Sequence, residues 1–244
     1  MSGSNVDNST RKGVVGGNVV SPTILLVRGF NTDLASGRDI YLPIKRYLAH
    51  SHKIVDFNYT PNEDISVVYS RLCDTIKSTK FDILMGHSMG GGLLAKYVRL
   101  NDVSAFERVI LLMPSICERI DHKLVLNIPL AQYAKLPKIM LFPAIFLFDE
   151  GNVLNDEYNL LPVSQLVYLY KDPNVFSDDY TFINKNPNVF LFYASLEKFN
   201  TITETVLLSL PTGQLKRVVG LHECFRSINS NGDFFEKLEE VLFT

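Results

Sequence analysis

From Phe81 to Leu94 the sequence reads FDILMGHSMGGGLL, a short apolar run that passes straight into a serine set among glycines. An apolar pattern of helical spacing continues to Arg99, so the segment is a β-strand that turns directly into an α-helix. Such a unit needs a buried sheet with the helix packed back on it, which restricts the chain to an α/β architecture. The glycines are what the turn requires. A serine on a tight strand-to-helix turn takes a strained backbone conformation, its neighbours crowd each other, and glycine has no Cβ to clash. Gly91 and Gly92 let the helix begin close to the sheet, and its N-terminus brings a positive partial charge beside Ser88.

The flanking sequence repeats the rhythm. Thr23 to Val27 is a buried-strand run, Ile40 to Ala49 reads as a helix, and Lys53 to Tyr59 as a second strand. Ile65, Val68, Leu72 and Ile76 recur at helical spacing, with Asn62 or Asp64 as the cap. Phe81 to Met85 is the third strand and Val109 to Met113 the fourth. Strands and helices in alternation predict a mostly parallel sheet flanked by helices. From residue 116 to 186 the rhythm is lost, and the segment is too long for a loop within a compact domain. It is read as a mostly helical cap. The rhythm then returns with strands at Val189 to Tyr193 and Lys216 to Val219, and helices at Thr203 to Leu210 and Phe234 to Leu242. The core is thus expected over 21–115 and 187–244, and residues 1–20 as a disordered tail rich in Gly, Ser, Asn and Val.

Composition excludes several classes. A net charge of −2 with no basic run gives nucleic-acid binding no electrostatic footing. Cys73, Cys117 and Cys224 are odd in number and widely spaced, which argues against a zinc site or a disulfide framework and for reduced thiols in the cytoplasm. The first 20 residues lack the apolar core of a secretory signal. The apolar run Ile139 to Phe148 is too short to span a bilayer and contains Pro143.

Gly86-His87-Ser88-Met89-Gly90 matches the G-x-S-x-G nucleophile elbow, in the strand–turn–helix context that the motif demands. With GHSMGG at its centre the chain resembles the α/β-hydrolase superfamily over nearly its whole length after the tail. That resemblance implies Ser88 as nucleophile, then an acid, then a histidine in chain order, and no cofactor or metal. His222, after Val218-Val219 in GLHEC, occupies the place of the base. Of the other histidines, His50 and His52 read as surface residues, His87 is within the elbow and too near Ser88 in sequence to serve it, and His122 lies in the cap.

The acid must accept the other imidazole N–H and stabilise the imidazolium. The family places it just beyond a strand in the last third of the chain, where Glu197 follows Val189 to Tyr193; the usual residue there is Asp. Glu204, Glu118 and Asp149 are the alternatives. The oxyanion donors implied are the backbone N–H groups of Met89 and Phe30. Arg28 stands where the family usually has His, and its bland reading is a loop arginine paired with an acid such as Asp33.

These readings converge on a serine hydrolase of carboxylic esters, thioesters or acyl lipids, acting on a small-molecule acyl substrate. A peptidase or a cofactor-free lyase would show the same residues, and a non-catalytic ligand-binding or scaffold protein is the rival from another class. The apolar run Ile139 to Phe148 is read first as a cap element packed on the body, ahead of a lid that touches acyl chains or a membrane.

Overall fold

The computed structural model describes residues 21–29, 39–60, 63–115, 141–143, 160–162, 180–196, 204–220, 222–226 and 232–243. Strand β1 (Thr23–Val27), helix α1 (Leu42–Leu48), strand β2 (Lys53–Phe57), helix α2 (Ile65–Ser78), strand β3 (Ile83–His87), helix α3 (Met89–Leu100) and strand β4 (Arg108–Leu112) alternate strictly. Beyond them come β5 (Leu141–Pro143), β6 (Leu160–Pro162), α4 (Thr181–Lys185), β7 (Val189–Ala194), α5 (Glu204–Ser209), β8 (Leu215–Val218) and α6 (Gly232–Phe243). Six strands form one sheet in the order β2-β1-β3-β4-β7-β8, and every pairing is parallel.

The alternation of side chains along each strand sorts the core into two layers. Leu25, Val27, Leu84, Val109, Leu111, Val189 and Leu191 face one way, against α2, α3 and α4. Ile24, Leu26, Ile83, Met85, Ile110, Leu112 and Phe192 face the other way, against α1 and α6. Both faces are covered, which is why the strands read as continuous apolar runs rather than as alternating ones. The helix starts obey local chemistry: Asp64 caps α2 by accepting from the Ser66 N–H, and a proline sits in the first turn of α1.

Strand order reverses at β1. Its successor β2 lies on one side of it and β3 on the other. Crossovers therefore diverge at the carboxyl ends of β1 and β3, opening the crevice where parallel α/β sheets bind ligands.

The expected elements of the core are found within two residues at most of their ends. The largest shift is in the third strand, which runs on through Gly86 and His87. Their backbones still pair, Gly86 with Val27 and His87 with Leu112, so the glycine does not end the ladder. Within 116–186 the expected helical cap lies mainly outside the described residues, as does the tail. Of the described parts of that segment, β5 and β6 form an antiparallel ribbon and not helix, with Leu141 opposite Pro162 and Pro143 opposite Leu160. Proline is tolerated at a strand end but not in a helix interior. His52 is a further correction. It is buried, bonded to Ser51 Oγ at 2.8 Å and packed on Phe243, because the distant C-terminal helix closes over it.

The tightest approach between layers is at Gly90. A Cβ there would stand 2.3 Å from the Val27 carbonyl oxygen and 2.4 Å from that of Arg28. Alanine normally favours a helix over glycine by ~0.8–1 kcal/mol. Gly90→Ala is nevertheless expected to destabilise the protein by about 2 kcal/mol or more, since backbone must move. Gly213→Ala, with open space around it, should change stability by less than about 0.5 kcal/mol. Urea unfolding of both variants checks this, and a Gly90→Ala protein as stable as wild type would contradict the packing described.

Candidate active site

Ser88 joins β3 to α3 with φ 52° and ψ −119°, a conformation that L-residues seldom adopt. Three backbone bonds hold it there. Its N–H donates to the Leu112 carbonyl at 3.0 Å, and its carbonyl accepts from Gly92 at 2.9 Å and from Ser115 at 2.8 Å. Its hydroxyl lies 3.4 Å from Ser115 Oγ. The neighbouring Met113 also has positive φ, 39°, so the turn after β4 is shaped to meet the elbow. Met89 is the first residue of α3 and is buried.

The segment after β1 packs directly on the elbow. A Cβ on Gly29 would lie 3.2 Å from Ser88 Cβ, 3.1 Å from the Tyr41 hydroxyl and 3.0 Å from His87 Nδ1. This loop is anchored by charge. Arg28 is 1% exposed, with Nη2 2.8 Å from Asp39 and Nε 3.0 Å from Asp56. Lys45 bridges the same two carboxylates. Among the described residues two acids and two cations balance, and the planar guanidinium serves both acids at once. Burial alone would raise the Asp39 carboxyl, but Lys45 and Arg28 outweigh it and hold it below the ordinary range. Arg28 also lies over the Tyr41 ring at 5.0 Å, and its carbonyl accepts from the Tyr59 hydroxyl at 2.8 Å. Among the described residues the partners are thus Asp39 and Asp56, and Asp33 lies outside them.

His87 is fully enclosed. Its Nδ1 is 2.9 Å from the Tyr41 hydroxyl, and its Nε2 is 3.1 Å from the His222 carbonyl oxygen. Burial, with the His222 ring beside it, pushes the His87 imidazole well below the usual histidine range despite the bond to the His222 carbonyl. The His222 and His87 rings are 4.7 Å apart between centroids. His222 itself is 8% exposed and belongs to a turn whose Phe225 stacks on Tyr41 at 5.4 Å. Burial raises the adjacent Glu223 carboxyl, against the pull of Arg226 at 3.0 Å and of His222.

The loops after β7 and β8 are laced together. Ser195 N–H donates to the Val218 carbonyl at 2.8 Å and Leu196 N–H to the Gly220 carbonyl at 2.9 Å. Gly220 has φ 148°, and Val219 N–H donates to Asp233 at 3.0 Å. Leu196 directly precedes Glu197, and Gly220 stands two residues before His222.

Ser88 and Met89 therefore lie at the carboxyl end of the sheet, beside the segment that precedes Phe30, and the His222 turn is bonded to the neighbouring His87. Phe30 and Glu197 lie outside the described residues, as do Glu118 and Asp149. Sequence reasoning missed Tyr41, Ser115 and the enclosing role of His87. Tyr41 carried no signal beyond an aromatic residue at a helix start, and Ser115 none beyond its place after the fourth strand.

A family model described as the alpha/beta hydrolase fold matches residues 15–206, and the chain belongs to that family. No curated protein matches the sequence. Among solved structures, the Paleococcus ferrophilus monoacylglycerol lipase superposes with TM-score 0.60 at 12% identity, covering 90% of this chain and 94% of that one. A lipase in an open form gives TM-score 0.58 at 15% identity over 91% and 90%. The esterase domain of a Rhodothermus marinus protein gives 0.52 at 14% identity over 91% and 86%. At such identities these likenesses concern the fold. Among the described residues no helix is long and apolar enough to cross a membrane.

The enclosed imidazole gives a pH prediction. A histidine whose folded pKa lies below its unfolded value of ~6.5 favours folding above that value, and the contribution is lost as pH falls through the folded pKa. His52, also lowered by burial, acts in the same direction. Glu223, raised by burial, acts oppositely, losing its contribution as pH climbs from the ordinary glutamate range to its raised one. The difference between wild type and His87→Gln isolates the His87 part. Urea unfolding between about pH 7.5 and 5 should show wild type losing stability more steeply on acidification than His87→Gln. Parallel profiles would contradict a neutral, enclosed His87.

Proposed function

We propose that the protein is a serine hydrolase of acyl esters, with Ser88 as nucleophile, His222 as base and Glu197 as the acid that orients it. The observation that carries this reading is the Ser88 backbone at φ 52°, at the carboxyl edge of a parallel sheet, with the His222 turn packed on its elbow. A serine held in that strained turn projects its hydroxyl out of the sheet for attack. His222 takes the Oγ proton as Oγ adds to the ester carbonyl, then returns it to the departing alkoxide, leaving an acyl-serine. Water, deprotonated by the same imidazole, adds to the acyl carbon, and collapse releases the carboxylic acid and expels the Ser88 oxygen, which takes the proton back from the imidazolium.

The negative charge of each tetrahedral intermediate falls to the N–H groups of Met89, at the head of α3, and of Phe30. That Gly29 N–H already donates to Tyr41 favours Phe30, the next residue, as the second donor. The lacing of Leu196 to Gly220 supports Glu197, since it brings the chain on either side into register for a carboxylate–imidazole bond. Ester, thioester and acyl-lipid substrates share this chemistry. The apolar run Ile139 to Phe148, read as a lid over the site, would favour an acyl group with some length.

The test is hydrolysis of p-nitrophenyl esters of increasing chain length. Wild type should turn them over, with kcat/KM rising from acetyl to medium chains by up to about 0.8 kcal/mol, or about fourfold, per buried CH₂. Ser88→Ala should retain its fold and lose the activity down to the small residue that the oxyanion donors support. Glu197→Gln should lower kcat by about 100-fold or more, while Glu204→Gln does far less. Full activity in Ser88→Ala would refute the nucleophile, and a silent Glu197→Gln would move the acid elsewhere.

A further inference from the structure

Three loops bear on Ser88 chemistry: the one after β1, the elbow itself and the turn holding His222. A single chain of hydrogen bonds runs through all three. The His222 carbonyl only accepts, so His87 Nε2, 3.1 Å away, carries the proton and donates to it. A neutral imidazole has one N–H, so Nδ1 accepts, and the Tyr41 hydroxyl 2.9 Å away donates to it. The same hydroxyl oxygen accepts from Gly29 N–H at 2.7 Å. The direction is therefore fixed from Gly29 N–H to Tyr41 Oη, from Tyr41 O–H to His87 Nδ1, and from His87 Nε2–H to the His222 backbone.

Packing holds the two middle members, Tyr41 and His87, as well. Phe225 stacks on Tyr41, with an interplanar angle of 16°, and meets the His87 ring edge-on at 4.8 Å. Arg28, immobilised by its two carboxylates, covers the Tyr41 ring.

We infer that Tyr41 and His87 are positioning residues that set the loop after β1 and the His222 turn at a fixed separation across Ser88. This rests on the reading of Ser88 and His222 as nucleophile and base. Gly29 is the residue before Phe30, so the hydroxyl that grips its N–H orients the peptide leading to the second oxyanion donor. His222 is gripped here by its backbone carbonyl and not through its ring. Misplacement of a catalytic group by about 1 Å costs on the order of 100-fold in rate, and the chain guards against a shift of that kind.

Tyr41→Phe keeps the ring, its stack on Phe225 and the Arg28 contact, and removes only the shared hydroxyl. With a p-nitrophenyl ester, kcat is expected to fall about 10- to 100-fold while KM changes less than about threefold, the pattern of an interaction made in the transition state. A role in stability alone would move the unfolding midpoint and leave kcat of the folded protein intact. An independent measurement needs no variant enzyme activity: imidazole nitrogen NMR of the wild type at neutral pH, with His87 assigned by its loss in His87→Gln. The ring should be protonated on Nε2 only. A proton on Nδ1, or on both nitrogens, overturns the proposal whether or not Tyr41→Phe folds. So does a Tyr41→Phe enzyme with kcat within about twofold of wild type, provided Ser88→Ala is inactive. If the wild type hydrolyses no ester, or Ser88→Ala remains active, the functional reading itself has failed, and the positioning role fails with it.

Discussion

Ser88 holds a backbone conformation that costs about 1–3 kcal/mol, and the rest of the site is arranged around the means of keeping it there. Its own N–H and carbonyl are tied to the end of β4, to the turn that follows it and to the first turn of α3. None of these bonds forms unless β3 and β4 pair in register and α3 lies close over β1. The approach at Gly90, where carbonyl oxygens of Val27 and Arg28 occupy the space of a side chain, is the geometric condition for that. Two covered faces of a parallel sheet provide the burial that sustains the strain.

The second constraint is electrostatic. The loop after β1 begins with an arginine that is almost wholly buried, in a place where its charge would be prohibitive without partners. Asp39 and Asp56 supply them, and Lys45 restores neutrality. Removing one member of such a group leaves uncompensated charge, which costs ~3–5 kcal/mol when buried and less for carboxylates as exposed as these. The arrangement therefore stabilises one loop conformation more than it stabilises the fold. Arg28 is held through side-chain carboxylates, and Tyr41 makes the contact to the elbow, through Gly29 and His87.

Much of this was legible in the sequence because it follows from local rules. The strand runs, the helical spacing of Ile65 to Ile76 and the cap at Asp64 are consequences of periodicity and capping chemistry. The elbow is legible because the turn geometry admits so few residues. What was not legible depends on contacts between distant segments. Nothing around Tyr41 announces that its hydroxyl will bridge Gly29 and His87, and nothing around His52 announces that Phe243 will cover it. The pairing of β5 with β6 was hidden for a related reason: three-residue strands carry too little period to be told from a helical fragment.

If the strained serine is an activated nucleophile in an accessible site, it must react with an electrophile that mimics the tetrahedral intermediate. Incubation with an alkyl fluorophosphonate, followed by proteolysis and mass mapping of the adduct, tests activation, access and identity together. A single adduct on Ser88 at neutral pH is the predicted result. A folded protein that takes up no label, or carries it on a different residue, would contradict the account.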